Sequence, residues 1–185
     1  MQSLLPDNRT RLITGLLLLA ALSRLLPHPD NFAPIGAIAL FGGCYIKNKR
    51  LAFFIPMAIM FFTDLMMQIF YSNGFHPIML WVYASFAIIT CLGFFLRGRE
   101  QRQTIMVASL TGSIIFFVVT NFGQWATGYY GFENGSLTRC FVEAIPFFRG
   151  TIMGDLFYNL VLFGVFALIK AYYPSVTQAT DQKRI

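Results

Sequence analysis

The sequence predicts an all-α, polytopic membrane protein with six transmembrane helices, built as a single domain over residues 1–185. Hydrophobic residues make up 56% of the chain and charged residues only 12%, and the mean hydropathy is +0.61. Ordinary soluble domains are far less apolar. The apolar residues fall into segments that are mostly near the ~20 residues needed to cross a ~30 Å hydrocarbon core. In order, the predicted spans are 12–27, 31–46, 51–71, 79–96, 104–126 and 151–169.

The first span has the flanking charges of a signal peptide but lacks a cleavage site. Arg9 and Arg11 precede an apolar run, yet no small-residue cleavage motif follows it. Arg24 occupies the place where such a motif would lie. We therefore expect a retained helix.

The second span is short and is interrupted by Pro34, Gly36, Gly42 and Gly43. Backbone polar groups at membrane depth need hydrogen-bond partners inside the protein. This segment is therefore expected to be irregular or to depend on neighbours that satisfy its backbone. The next three spans are apolar runs of near-spanning length.

The segment 127–150, between the last two spans, is too long for a tight turn. Apolar residues recur there at three- and four-residue intervals, with Arg139 and Glu143 on the other side. This pattern predicts a short amphipathic helix at about 137–148 on the outer surface. Its role is either an interfacial anchor or a lid, and the expected hinge glycines are Gly128, Gly131, Gly135 and Gly150.

The basic residues predict the orientation of the chain. Eleven of the 14 Lys and Arg residues lie before the first span or follow the second, fourth and sixth spans. The positive-inside rule then places both termini of a multi-pass membrane protein in the cytoplasm. Orientation alone accounts for the net charge of +6, so no nucleic-acid partner is expected.

Three ionisable residues, Arg24, Asp64 and Asp155, lie inside the predicted spans and reach a similar depth on the outer side. Charges in lipid are costly and are functional candidates by default. Two interpretations stay open: an ion pair that joins spans one, three and six, or a ligand-binding or gating site. The polar residues expected around them are Gln68, Asn121, Gln124 and Asn159.

The outer face is also predicted to be rich in aromatic residues and to carry both histidines, His28 and His76. Rings at this depth commonly form an interfacial belt, but they can also frame a ligand. Trp81, Trp125 and Tyr129 are the candidates. The two histidines have no cysteine or carboxylate at ligand spacing, so no protein metal site is expected. Cys140 is read as either a packing cysteine or an outer ligand.

Several catalytic motifs are missing from the sequence. It contains no Walker A phosphate loop, no H-E-x-x-H zinc motif and no G-x-S-x-G nucleophile elbow. The chain is therefore expected neither to hydrolyse ATP itself nor to be an enzyme. The alternatives are an intramembrane enzyme that modifies its ligand through Cys140 or His76, and a structural or assembly protein.

Four stretches carry a family resemblance: R-L-L-P-H-P-D-N-F-A-P-I-G-A-I-A-L-F-G-G at 24–43, G-F-H-P-I-M at 74–79, T-N-F-G-Q-W at 120–125 and A-I-P-F-F-R-G-T-I-M-G-D-L at 144–156. They resemble small bacterial membrane proteins described as transporters. That group is in turn similar to the substrate-binding S-components of energy-coupling factor vitamin transporters, including the BtuM-type cobalamin transporters.

The resemblance implies an S-component-like bundle of six helices that takes up a vitamin-sized molecule from the outer side, with cobalamin or a related corrinoid as the first expected ligand. BtuM-type proteins place a cysteine in an outer loop near the corrin cobalt, whereas this chain has His76 in its second outer loop. His76 or Cys140 would then be the axial ligand of cobalt. An energising ATPase module is a possible partner, but the first helix lacks a clean small-residue repeat, which favours solitary action. No resident cofactor is expected.

Overall fold

The computed structural model describes residues 7–72 and 74–177, and this part of the chain contains helices and turns but no strands. A 3₁₀ turn at Ser23–Leu25 follows the first helix. The helices are α1 (Asn8–Leu22), α2 (Ile35–Tyr45), α3 (Lys49–Tyr71), α4 (Met79–Phe95), α5 (Arg102–Ala126), α6 (Ser136–Tyr172) and α7 (Pro174–Thr177). The all-α class predicted from the sequence is confirmed.

Three of these helices, α3, α5 and α6, are long and apolar enough to cross a membrane by length and composition. Their bounds agree closely with the predicted spans at 51–71 and 104–126, while α6 is much longer than predicted. α2 and α4 are apolar but shorter, with 11 and 17 residues. Large apolar side chains lie exposed on the outside of the bundle, which suits contact with lipid, among them Leu80 and Phe95.

α1 begins earlier than the sequence pattern predicts. Asp7 caps it, because its carboxylate accepts a hydrogen bond from the backbone N–H of Thr10 at 2.8 Å. The helix ends at Leu22 and the chain then tightens into the 3₁₀ turn that carries Arg24. The predicted span 12–27 is therefore shifted by about one turn.

The prediction of a separate amphipathic helix at 137–148 is wrong, because α6 runs without a break from Ser136 to Tyr172. Pro146 and Gly150 lie inside it. A continuous helix keeps most backbone groups paired within one element, which an apolar environment favours. Gly150 is not a hinge: a Cβ there would lie 2.0 Å from the carbonyl oxygen of Asp30, so the residue permits close packing.

α2 lies at the centre of the bundle and is held by its neighbours. All eight residues of 37–44 are buried. The guanidinium of Arg97 donates to the carbonyl oxygens of Gly43 and Ile46 at 2.8 and 2.7 Å, at the C-terminal end of the helix. A cation there also opposes the negative end of the helix dipole. The short second span thus does depend on other elements for its backbone.

α2 and α4 cross at two glycines, Gly43 and Gly93. A Cβ on Gly93 would lie 2.4 Å from the carbonyl oxygen of Leu40, and one on Gly43 would lie 2.3 Å from the carbonyl oxygen of Thr90. Both obstacles are backbone atoms, which cannot rotate away. Small residues allow such close contact between helices in membrane proteins.

We expect Gly93→Ala to destabilise the protein by about 1–3 kcal/mol, because the added methyl group must push two helix backbones apart. Unfolding of the purified protein in detergent measures the loss. Gly15→Ala is the control: nothing lies within 4 Å of a Cβ at this position in α1. Equal stability of both variants would show that α2 and α4 are not so closely packed.

Candidate functional site

The 3₁₀ turn after α1 places Arg24 against α3, where it forms an ion pair. Arg24 Nη1 donates to Asp64 Oδ1 and to Thr63 Oγ1, each at 2.8 Å. The two charged side chains are only 14% and 7% exposed. Low solvent exposure strengthens the attraction within the pair and makes either charge costly if left alone.

A third helix joins this pair, because the hydroxyl of Tyr83 on α4 donates to Asp64 Oδ2 at 2.7 Å. Both carboxylate oxygens therefore have partners, one from the turn after α1 and one from α4. We call Arg24, Thr63, Asp64 and Tyr83 the ion-pair network. The network joins the 3₁₀ turn after α1, α3 and α4 at one end of the bundle.

The loop after α3 packs beside this network. The side-chain oxygen of Gln68 accepts from the backbone N–H groups of Gly74 and Phe75 at 3.1 and 3.2 Å. Partial desolvation lowers the pKa of His76 from its usual value, while the nearby Asp64 raises it and Arg24 lowers it further. His76 thus lies within electrostatic reach of the ion pair, on an exposed loop.

Asp155 does not share a site with Arg24, contrary to the prediction of one three-charge cluster. Its Oδ2 accepts from the hydroxyl of Ser113 on α5 at 2.7 Å. The carboxylate also lies against the first turn of α2, because a Cβ on Gly36 would lie 2.3 Å from Asp155 Oδ1. The reason lies in α2: its N-terminal Pro34 offers no side-chain cap, so a carboxylate from α6 stabilises the positive end of the helix.

One turn further along α6, Asn159 makes a parallel connection to α5. Its Nδ2 donates to the hydroxyl oxygen of Ser109 at 2.9 Å. Ser109 and Ser113 are four residues apart, as are Asp155 and Asn159, so each pair lies on one face of its helix. We call these four residues the polar ladder.

Two cavities lie beside the polar ladder. The smaller, of about 50 Å³, is lined by Asp155, Thr151 and Gly36. The larger, of about 740 Å³, is lined by Ser109 and Asn159 and extends along α5 and α6 to Glu100 and Arg102. Asp155 and Asn159 are separated by four residues, or about 6 Å along the helix. The ladder therefore stands between the two cavities.

Asn159 is 2% exposed, and its Oδ1 atom has no hydrogen-bond partner within the described residues. Buried polar atoms are nearly always paired, so an unpaired oxygen beside a cavity is unusual. Of the predicted site residues, Asn159 is the one that lines the larger cavity.

The other predicted residues on α4 and α5 have structural partners. Trp81 packs against Gly123, where a Cβ would lie 2.2 Å from the indole. Asn121 Nδ2 donates to the carbonyl oxygen of Phe117 at 2.7 Å, within α5. Trp125 Nε1 donates to Ser136 Oγ at 3.2 Å and so joins the end of α5 to the start of α6.

Three more candidates lie in the loops or near a helix end. Tyr129 is 66% exposed and meets Tyr130 edge-on, with ring centroids 4.8 Å apart. His28 is exposed, and its Nδ1 lies 2.9 Å from the carbonyl oxygen of Pro29. Gln124 lies in the last turn of α5, and its carbonyl oxygen accepts from the hydroxyl of Thr127 at 2.9 Å. None of these three lines either cavity described above.

Cys140 lies in the first turn of α6 and is only 3% exposed, so its thiol is not presented to solvent. Within residues 7–72 and 74–177, no three or more histidine, cysteine or acidic side chains form a group that could hold a metal ion. Of the two proposed cobalt ligands, His76 is the accessible one.

Four residues of these two sites are absent from the residues predicted from the sequence: Thr63, Tyr83, Ser109 and Ser113. Hydroxyls on apolar helices carry little signal alone, because they can hydrogen-bond to their own backbone. The spacing of the residues is one clue. Ser109 and Ser113 are four residues apart in the fifth predicted span, and Asp155 and Asn159 are four residues apart in the sixth, which is expected to run in the opposite direction. Matching Ser109 and Ser113 with Asn159 and Asp155 would have predicted both rungs of the ladder.

Comparison with known proteins gives one family match. The model of a family of unknown function, DUF6580, matches residues 5–176, which is most of the chain. No curated protein and no solved structure matches the sequence. By this match, the chain belongs to the DUF6580 family of unknown function.

Proposed function

We propose that this protein is a membrane transporter, or a substrate-binding protein of the S-component type, for uptake of a vitamin-sized small molecule. The observation that carries the proposal is a pair of cavities on opposite sides of the polar ladder. A path from one side of a membrane to the other needs space at both ends and a polar barrier between them. The ladder supplies that barrier, because its four polar side chains lie between the two cavities along α5 and α6.

The larger cavity has the features of a ligand site. Its volume of about 740 Å³ lies within the ~300–1,000 Å³ typical of small-molecule pockets. Its walls are mainly apolar, with Tyr45, Leu156 and Phe163 among them. A few polar groups, chiefly Ser109 and Asn159, are concentrated at its deep end, as in sites where they orient a ligand.

We further propose six spans, in a bacterial inner membrane, with both termini in the cytoplasm. The basic residues Arg97, Arg99 and Arg102 then mark the cytoplasmic end of α5. The larger cavity opens at that end, and the ion-pair network closes the opposite one. In alternating access a central site faces one side at a time, so this arrangement corresponds to an inward-facing state.

The sequence resemblance makes a corrinoid the first ligand to test, with His76 as the candidate axial ligand of cobalt. His76 is not in the wall of the larger cavity and lies beside the ion-pair network at the opposite end of the bundle, so a corrinoid held by His76 would bind at that outer end. The larger cavity is of a size for smaller vitamins, and the ligand panel therefore includes both classes. Action without an energising ATPase module remains the favoured arrangement.

The test is uptake into vesicles that contain the purified protein, with a panel of labelled vitamins that includes a corrinoid. We expect saturable uptake of at least one compound above the level of protein-free vesicles. Correctly folded protein that takes up none of the panel would overturn the transport proposal. For a corrinoid, His76→Ala should abolish any change in its visible spectrum on binding, while Cys140→Ala should not.

A further inference from the structure

The larger cavity has chemically different ends. At its deep end, the Oδ1 atom of Asn159 is buried and unpaired, and the Nδ2 atom is already used by Ser109. A free amide oxygen accepts hydrogen bonds, so the group that satisfies it must be an N–H or O–H donor.

The mouth of the cavity is basic. Arg102 lines it, and no carboxylate forms an ion pair with Arg102 within residues 7–72 and 74–177. Arg102 is also the first residue of α5, whose N-terminus lacks a side-chain cap. Helix N-termini and arginine both favour anions.

A second arginine approaches the mouth from α1. The Arg9 guanidinium lies 5.9 Å from the centre of the Tyr45 ring, which lines the cavity, and its buried Nε atom has no hydrogen-bond partner among the described residues. The acidic residue at the mouth is Glu100, and its Oε1 already accepts from the backbone N–H of Gly98 at 2.8 Å. The two guanidinium groups outnumber the single carboxylate, so this end of the cavity has a net positive charge. A net positive charge favours a negatively charged group on the ligand.

The distance between the two ends sets the length of the ligand. Arg102 and Ser109 are seven residues apart on α5, or about 10 Å along the helix. The wall between them is formed by apolar and aromatic side chains, including Ile105, Phe163 and Leu160. A lipid acyl chain would suit this wall, but it would leave Asn159 unpaired.

From these features we infer that the larger cavity binds an elongated organic anion that carries an N–H or O–H donor, such as an amide or urea group, about 10 Å from its carboxylate or phosphate. The donor binds Asn159 Oδ1, the apolar middle lies along α5 and α6, and the anion binds Arg102, with the Arg9 guanidinium beside the wall residue Tyr45 adding positive charge. This inference rests on the proposed function and specifies the substrate class of the same site.

Three small probes test it on purified protein by calorimetric titration. The complete probe is ε-ureidohexanoate, which has a urea donor and a carboxylate at opposite ends. Its methyl ester lacks the anion, and octanoate lacks the donor. We expect the complete probe to bind at least about ten-fold more tightly than either, since a lost hydrogen bond or charge contact of ~1.4 kcal/mol weakens binding by this factor.

Two variants separate the two ends. Asn159→Leu should remove the preference for ε-ureidohexanoate over octanoate, and Arg102→Gln should remove the preference over the ester. Arg99→Gln, in the same basic loop but not in the wall of the cavity, is the matched control and should keep both preferences. Arg102 is exposed, so its variant remains informative even where Asn159→Leu reduces folding.

The outcomes separate this inference from the transport proposal. Equal binding of octanoate and ε-ureidohexanoate to the native protein would overturn the inference and indicate an acyl-chain groove. Failure of all three probes to bind, or to compete with a compound that vesicles do take up, would overturn the substrate class but leave transport standing. Probe binding with the expected preferences in a protein that transports nothing would overturn transport alone.

Discussion

Replacing Asp64 by alanine is expected to destabilise the protein by about 3–5 kcal/mol, the usual cost of removing one partner from a buried ion pair. The loss of stability is large because the positive charge of Arg24 would stay buried without its partner. The Tyr83 hydroxyl would lose its hydrogen-bond acceptor as well. Denaturant titration of the purified protein in detergent measures the change.

A triple variant shows how much of this cost is the stranded charge. Arg24→Leu, Asp64→Leu and Tyr83→Phe together leave no unpaired group, and apolar replacement of a whole buried ionic group is often nearly neutral. We therefore expect the triple variant to be more stable than Asp64→Ala alone. Arg139→Ala, which breaks the exposed Arg139 and Glu143 pair, is the control and should change stability little.

The triple variant also decides the role of the ion-pair network. A network that only holds helices together would leave uptake per folded molecule unchanged once the helices are held by apolar contacts. A network that closes the outer end should alter uptake even in a stable variant. A triple variant as unstable as Asp64→Ala would contradict the assignment of the cost to an unpaired charge.

Replacing Asp155 by alanine is expected to cost about 1–3 kcal/mol, because the Ser113 hydroxyl loses its nearer acceptor and keeps only the carbonyl oxygen of Ser109 at 3.2 Å, and the positive end of α2 loses the carboxylate that faces it. Asp155→Asn should cost less, since an amide oxygen can still face α2 while the Ser113 hydroxyl accepts from the amide nitrogen. Thermal unfolding of the two variants measures the difference.

In transport, we expect Asp155→Asn to reduce uptake more than it reduces the amount of folded protein. The carboxyl group lies between the two cavities, so its replacement by an amide changes the barrier directly. Gly36→Ala is a matched variant that retains the carboxyl group: its Cβ would lie 2.3 Å from Asp155 Oδ1 and would displace the carboxyl group. Parallel losses of uptake and abundance in both variants would indicate a purely structural cap.

The helical class and most of the long helices were predictable because apolar runs of spanning length have few other folds open to them. The 3₁₀ turn at Arg24 and the unbroken α6 were not. Both involve contacts between distant parts of the chain: Arg24 in the turn pairs with Asp64 on α3, and Gly150 within α6 packs closely against the backbone of Asp30.

The candidate site was predictable only in part. The sequence correctly marked Arg24, Asp64, Asp155 and Asn159 as residues that needed an explanation in an apolar chain. It placed the three charges in one cluster because it could estimate their depth along the bundle but not the direction in which each side chain points. Around the bundle axis, Asp64 faces Arg24 and Tyr83, whereas Asp155 faces α2 and α5.

By itself, the sequence determined that this protein is a helical bundle with costly polar groups, because composition and the length of apolar runs are properties of the chain alone. Only the tertiary structure decided which partners those groups have. Asp155 accepts from Ser113 and lies against the first turn of α2 rather than binding Arg24, and Asn159 keeps an unpaired oxygen beside a cavity. Such pairings depend on distances of a few ångströms between helices that are far apart in the chain, and hydropathy contains no information about them.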